Sequence, residues 1–81
     1  MLVPLYGFVE GDTMGLLVLA HHDMNMKEVA DLLRDSARIR VGASAAVWQL
    51  HVDGHAVNEA LTVAELGLEP LARIDLRQHT P

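Results

Sequence analysis

The side chains best suited to chemistry in this chain are its histidines. His21-His22-Asp23 sets two imidazoles beside a carboxylate, and His51 and His55 flank Asp53-Gly54. Imidazoles and carboxylates ligate zinc-type ions, but a site needs at least three ligands that converge. Neighbouring residues of a regular strand point to opposite faces, so His21 and His22 cannot easily reach one ion. His51 or His55 would have to supply a further ligand. Surface histidines at strand ends are the simpler reading, and no metal ligand is assigned.

Nucleophilic chemistry has no local support. Ser36 and Ser44 lie in or just after an expected helix and lack the flanking glycines of a nucleophile elbow. Gly7, Gly11 and Gly15 recur every four residues, but in strand and turn contexts. They do not open a helix, so they form no phosphate loop. The basic residues are few and scattered, with no aromatic platform on which bases could stack. No catalytic and no cofactor-binding residue is therefore assigned.

The elements that would position these groups follow from the periodicities. Residues 2–9 and 14–20 are apolar runs separated by Glu10-Gly11-Asp12-Thr13, the pattern of a β-hairpin. Pro4 implies that the first strand starts late or leaves that position unpaired. Asn25 with Glu28 fits a helix start, with Met24 and Val29 placed as a hydrophobic staple. Met26, Val29, Ala30, Leu33 and Ala37 form one helical stripe, which predicts a helix over 26–38. Residues 38–46 read as a connection of small residues.

Residues 47–52 alternate, with Trp48, Leu50 and Val52 opposed to Gln49 and His51. Asp53-Gly54 then signals a tight hairpin. Thr62 with Glu65 fits a second capping box, Gly67 the stop of a short helical turn, and Pro70 a break before the last strand. Residues 73–78 alternate again, Ile74 and Leu76 against Arg73, Asp75 and Arg77. Val29, Ala30, Leu33, Trp48, Leu50, Ile74 and Leu76 are the expected core. The order is ββαββ, short helix, β. It predicts an α+β domain of ubiquitin-like, β-grasp type, a mixed sheet crossed by one main helix, with residues 1–81 as a single domain.

Composition limits the partners. The chain has 81 residues and no cysteine, so no disulfide staples a domain that is small enough to be marginal alone. Its formal net charge of −5 argues against nucleic acid and anionic membrane as partners. No apolar run is long enough to span a bilayer, and no basic-then-apolar leader opens the chain, so a soluble cytoplasmic protein is expected. Yet 51% of the residues are hydrophobic and 21% charged. Average domains reach roughly 45–50% apolar only when glycine is counted. Much of this excess falls in the first hairpin, where Leu5 and Val9 oppose Tyr6 and Phe8, and Leu16 and Val18 oppose Leu17 and Leu19. A sheet covered by one helix needs a single apolar face. A hairpin apolar on both sides implies a second cover, which a partner chain would supply. Local sequence does not fix which of the two faces is outward. Tyr6, Phe8, Leu17 and Leu19 are chosen as the expected interface, because aromatic residues are enriched at interface centres, and the face of Leu5 and Val9 is the alternative.

Several segments also resemble a known family. Pro4, the Glu10-Gly11-Asp12 turn and Leu17-Val18-Leu19-Ala20 match its N-terminal third. Met26, Val29 and Ala30 match its helix, and Arg38-Ile39-Arg40-Val41 its Arg-Arg-Val segment. Thr62-Val63-Ala64-Glu65-Leu66-Gly67-Leu68-Glu69-Pro70 through Ile74-Asp75-Leu76 is similar to a T-(I/V)-A-E-x-G-L-x-P-x-x-x-I-D-(V/L) pattern. This is the pattern of the small gamma subunit, protein B, of toluene-monooxygenase-type bacterial multicomponent monooxygenases. The chain departs from the family at Leu16, often Gln, at His21, commonly Asp, and at Ser36 and Ala37, where His and Cys are frequent.

The resemblance implies a ubiquitin-like fold and a hydroxylase that oxidises aromatic or alkene hydrocarbons, built as two copies of three different subunits. It also implies an NADH-fed electron chain and a carboxylate-bridged diiron centre in the large subunit. The partners would be the large and medium hydroxylase subunits, and no catalytic residue or metal ligand is carried over to the small one. The alternative is a free-standing ubiquitin-like adaptor. The ending Gln78-His79-Thr80-Pro81 lacks the Gly-Gly of conjugated modifiers, so that adaptor would be non-conjugating.

Overall fold

The computed structural model describes residues 1–12, 14–41 and 47–79, with residues 38–41 and 79 described by backbone alone. Thr13 of the predicted turn, Ser44, the rest of the connection at 42–46, and residues 80–81 lie outside the described residues. The elements are β1 (Leu2–Val9), β2 (Leu16–His21), α1 (Met26–Val41), β3 (Val47–Val52), β4 (His55–Ala56) and β5 (Ala72–His79). They form one five-stranded sheet in the order β2-β1-β5-β3-β4. β1 runs parallel to β5, and the other pairings are antiparallel. This is the mixed sheet crossed by one helix that the element order predicts.

The helix begins where the sequence places it. Asn25 Oδ1 accepts the Glu28 N–H at 2.8 Å, and Glu28 Oε1 accepts the Asn25 N–H at 3.3 Å. Two otherwise orphaned donors are thereby satisfied. Met24 is half-buried and Val29 fully buried, as a staple requires. The helix runs three residues beyond its predicted end, to Val41. The β-branched Ile39 and Val41 lower the helical signal of this last turn, so the sequence places the end earlier.

The second box is also formed. Thr62 Oγ1 accepts the Glu65 N–H and Glu65 Oε1 the Thr62 N–H, each at 3.1 Å. No short helix follows it, however. Leu66 N–H reaches Thr62 O, and the turn then closes at once. Leu68 N–H donates to Val63 O at 3.3 Å and Gly67 N–H to Ala64 O at 3.0 Å. With Gly67 at φ +67°, this is a Schellman cap. The cap consumes the carbonyls a longer helix would have used, so the segment is a capped turn. Asn25 and Thr62 are bridge partners, which ties this turn to the start of α1.

The core lies between α1 and one face of the sheet. Leu5, Met26, Val29, Leu33, Leu50, Val63, Ile74 and Leu76 are fully buried, and no polar or charged residue is buried among those described. Six of the seven expected core residues are buried; Trp48 is the exception and is half-buried. Its indole flanks the core, with the Arg34 guanidinium 5.7 Å from the ring centroid.

Pro4 sits inside β1, opposite Leu19. Its carbonyl accepts the Leu71 N–H, so its proton-free nitrogen faces the same side, just before β5 begins. Asp53 and Gly54 both adopt positive φ, 53° and 79°, as a two-residue hairpin between β3 and β4 demands.

Candidate docking face

Strand register assigns each side chain to a face. Val3, Leu5, Val9, Val18 and Ala20 point to the helix and are buried. Their alternates Leu2, Pro4, Tyr6 and Phe8 of β1, with Leu17 and Leu19 of β2, lie on the outer face. Tyr6 stands opposite Leu17, and Pro4 opposite Leu19. Leu17 is 61% exposed, Leu19 57%, Leu2 52% and Tyr6 45%. All four residues expected at an interface therefore share the helix-free face. The sequence reading left out Leu2, which continues the same alternation, and the β5 residues that border the patch.

The aromatic pair is held in place. Tyr6 and Phe8 stack with centroids 5.2 Å apart and planes 9° from parallel. A Cβ on Gly15 would overlap the Tyr6 ring, so glycine at that position lets the ring lie against the backbone. β1 and β5 register sets Tyr6 opposite Arg73 and Phe8 opposite Asp75. The Arg73 guanidinium stands 4.2 Å from the Phe8 centroid and pairs with Asp75, Nη2 to Oδ1 at 3.1 Å. Phe8 is half-buried because Tyr6 and Arg73 both lie against it.

The outer face thus has two halves. β2 and β1 are apolar; β5 and β3 carry Arg73, Asp75, Arg77, Gln49 and His51. Where they meet, a cleft of about 210 Å³ is lined by residues including Phe8, Glu10, Arg73, Asp75 and Arg77.

The histidines are kept apart. His21 ends β2 at one edge of the sheet, and His51 and His55 lie on β3 and β4 at the other. Three strand spacings separate β2 from β3, about 14 Å. His51 and His55 therefore cannot complete a site begun by His21 and His22. The Met1 ammonium donates to His22 Nδ1 at 3.0 Å, and His51 Nδ1 lies 3.1 Å from Gln49 O. Among the described residues, no three His, Cys, Asp or Glu side chains come together as metal ligands. Ser36 Oγ donates to Leu32 O within α1 and faces no base. Among the described residues, no helix is long and apolar enough to cross a membrane.

Residues 2–77 match the family described as toluene-4-monooxygenase system protein B. No curated protein matches the chain. Among solved structures, a chain of the toluene 4-monooxygenase HD complex with the inhibitor 4-bromobenzoate is similar at a TM-score of 0.89 and 23% identity, covering 98% of this chain and 100% of that one. Caldiarchaeum subterraneum ubiquitin is similar at 0.79 and 13% identity, covering 100% and 98%. The ubiquitin-like domain of Plasmodium falciparum Dsk2 is similar at 0.76 and 14% identity, covering 98% and 100%. These likenesses establish a ubiquitin-like fold.

Proposed function

Because the chain belongs to the toluene-4-monooxygenase system protein B family, we propose that it is a small, non-catalytic subunit of a multicomponent monooxygenase hydroxylase, docking on the large subunit through the outer face of β1 and β2. The observation that carries this reading is that face itself. Tyr6, Phe8, Leu17 and Leu19 form a contiguous apolar surface on the side of the sheet that α1 leaves uncovered. Apolar surface of this kind marks an interaction site, and a stacked aromatic pair fixed by Gly15 and Arg73 loses little entropy on binding.

The oxidation chemistry belongs to the partners on this reading. A diiron centre fed by NADH-derived electrons would sit in the large subunit and oxidise an aromatic or alkene hydrocarbon there. The described residues gather no ligand set for such a centre. The part played by this chain is to bind and to shape the assembly, together with the large and medium subunits.

Co-purification tests the reading. The Tyr6→Asp, Phe8→Asp double variant places two carboxylates on the outer face without touching the core. Burying carboxylates in an apolar interface, the one at position 6 unpaired, would weaken binding by more than about 100-fold. The variant is expected to stay folded and to be lost from the hydroxylase. Normal assembly of the folded variant would move the docking surface elsewhere.

A further inference from the structure

We propose that the chain, when free of other subunits, pairs with a second copy of itself along the open edge of β2, antiparallel and centred on Val18. The inference rests on the backbone of β2, separately from the side-chain face proposed for docking.

β2 is an edge strand of the sheet. Its hydrogen-bond phase is fixed by two contacts. His22 N–H donates to Met1 O, and Pro4 turns its carbonyl away from β2, toward Leu71 N–H. Bonded and non-bonded pairs alternate along an antiparallel ladder. Leu16, Val18 and Ala20 therefore direct their amides and carbonyls to β1, while Leu17, Leu19 and His21 direct theirs outward. His21 is already engaged: its N–H meets Met24 Sδ at 3.2 Å and its carbonyl accepts Met24 N–H at 3.0 Å. What the edge offers is the N–H and C=O of Leu17 and of Leu19, which make no hydrogen bond to a described residue.

This set is self-complementary. With Val18 opposite Val18 across a two-fold axis, Leu17 of each copy faces Leu19 of the other. Each such pair exchanges two hydrogen bonds, so every open group of both edges is satisfied. Of the antiparallel registers confined to β2, only this one pairs both leucines of both copies at once. A shift toward His21 meets groups already taken by Met24. Facing side chains agree: Leu17 meets Leu19 on the outer face, Leu16 meets Ala20 on the inner, and no like charges oppose. Edge strands that stay single usually carry lysine, proline or a bulge. Leu16–His21 has none of these, whereas the opposite edge, β4, is only two residues long.

The purified chain alone, studied by sedimentation over a concentration series, is expected to be a dimer in equilibrium with monomer. Leu17→Pro and Leu19→Pro each delete an outward N–H and leave the β1 ladder intact; Leu17→Ala and Leu19→Ala control for the lost side chain. Each proline removes two hydrogen bonds per dimer and is expected to weaken it about thirtyfold beyond its alanine control. Register is read by cross-linking, since the chain has no cysteine of its own. In the Leu17→Cys, Leu19→Cys variant the facing Cα atoms would lie about 5.5 Å apart, within disulfide reach. In either single variant the like positions are diagonal, at about 7–8 Å, and beyond it. A chain that is monomeric throughout would overturn the proposal. So would prolines no worse than alanines, or single cysteines that cross-link as fast as the pair. If a proline variant loses its fold, the cross-linking comparison decides. None of these readouts involves the hydroxylase, so they stand or fall apart from the docking face.

Discussion

Leu33 of α1 rests directly on Gly7 of β1: a Cβ at Gly7 would stand 2.7 Å from Leu33 Cδ1. The helix approaches β1 closely because that position carries no side chain. Gly7→Ala is expected to cost roughly 1–3 kcal/mol, since a buried methyl here must displace a packed leucine. Leu33→Ala is expected to cost roughly 2–5 kcal/mol by leaving a cavity. Urea denaturation measures both. The two changes together should cost less than their sum, because the added methyl fills part of the hole. A loss below about half a kcal/mol for Leu33→Ala would remove it from the core.

The two capping boxes give a second prediction. Asn25→Ala and Thr62→Ala should each cost about 1 kcal/mol. Asn25 and Thr62 are also bridge partners, and Met26 N–H donates to Leu61 O while Val63 N–H donates to Met24 O. The caps therefore lie in one network, and the double variant should depart from additivity by at least about 0.5 kcal/mol. Strict additivity in a double-mutant cycle would show two independent caps.

Leu71 carries the third. It adopts φ +66°, where a side chain with Cβ is strained, and it is 62% exposed, so little packing offsets that strain. Asparagine tolerates this conformation better and keeps the N–H that donates to Pro4 O. Leu71→Asn is expected to stabilise the fold by about 0.5–1 kcal/mol. A lower unfolding midpoint in thermal melts would mean that Leu71 packs more than its exposure implies.

The last prediction concerns the histidines. Strand order separates His21 and His22 from His51 and His55, so zinc should leave the melting temperature unchanged and chelator should not lower it. Elemental analysis of the purified chain should find no stoichiometric ion. A zinc-dependent rise in melting temperature that vanishes in His21→Ala or His22→Ala would contradict the separation.

How much of this was legible beforehand depended on the range of the interaction. Asn25 with Glu28, Thr62 with Glu65, Gly67 and Asp53-Gly54 act over two to five neighbouring residues, so composition at fixed spacing was enough to place both caps and the hairpin. The alternation of β3 and β5 likewise named their inner residues. Trp48 was misplaced into the core because alternation gives the side of a strand but not which helix residue covers it; here Arg34 of α1 lies over the ring, which flanks the core.

The doubly apolar hairpin shows the limit. Its sequence determined that two apolar faces exist and that one helix cannot cover both. Which face is outward was decided by tertiary packing: α1 lies on the side where Gly7 admits Leu33, which leaves Tyr6, Phe8, Leu17 and Leu19 outside. Strand order and register join residues far apart in the chain, such as Phe8 with Arg73 and Asp75, and no local spacing encodes such pairings. The same long-range order set the histidines on opposite edges and left the backbone of Leu17 and Leu19 open, because a hydrogen-bond ladder exists only once its partner strand has been chosen.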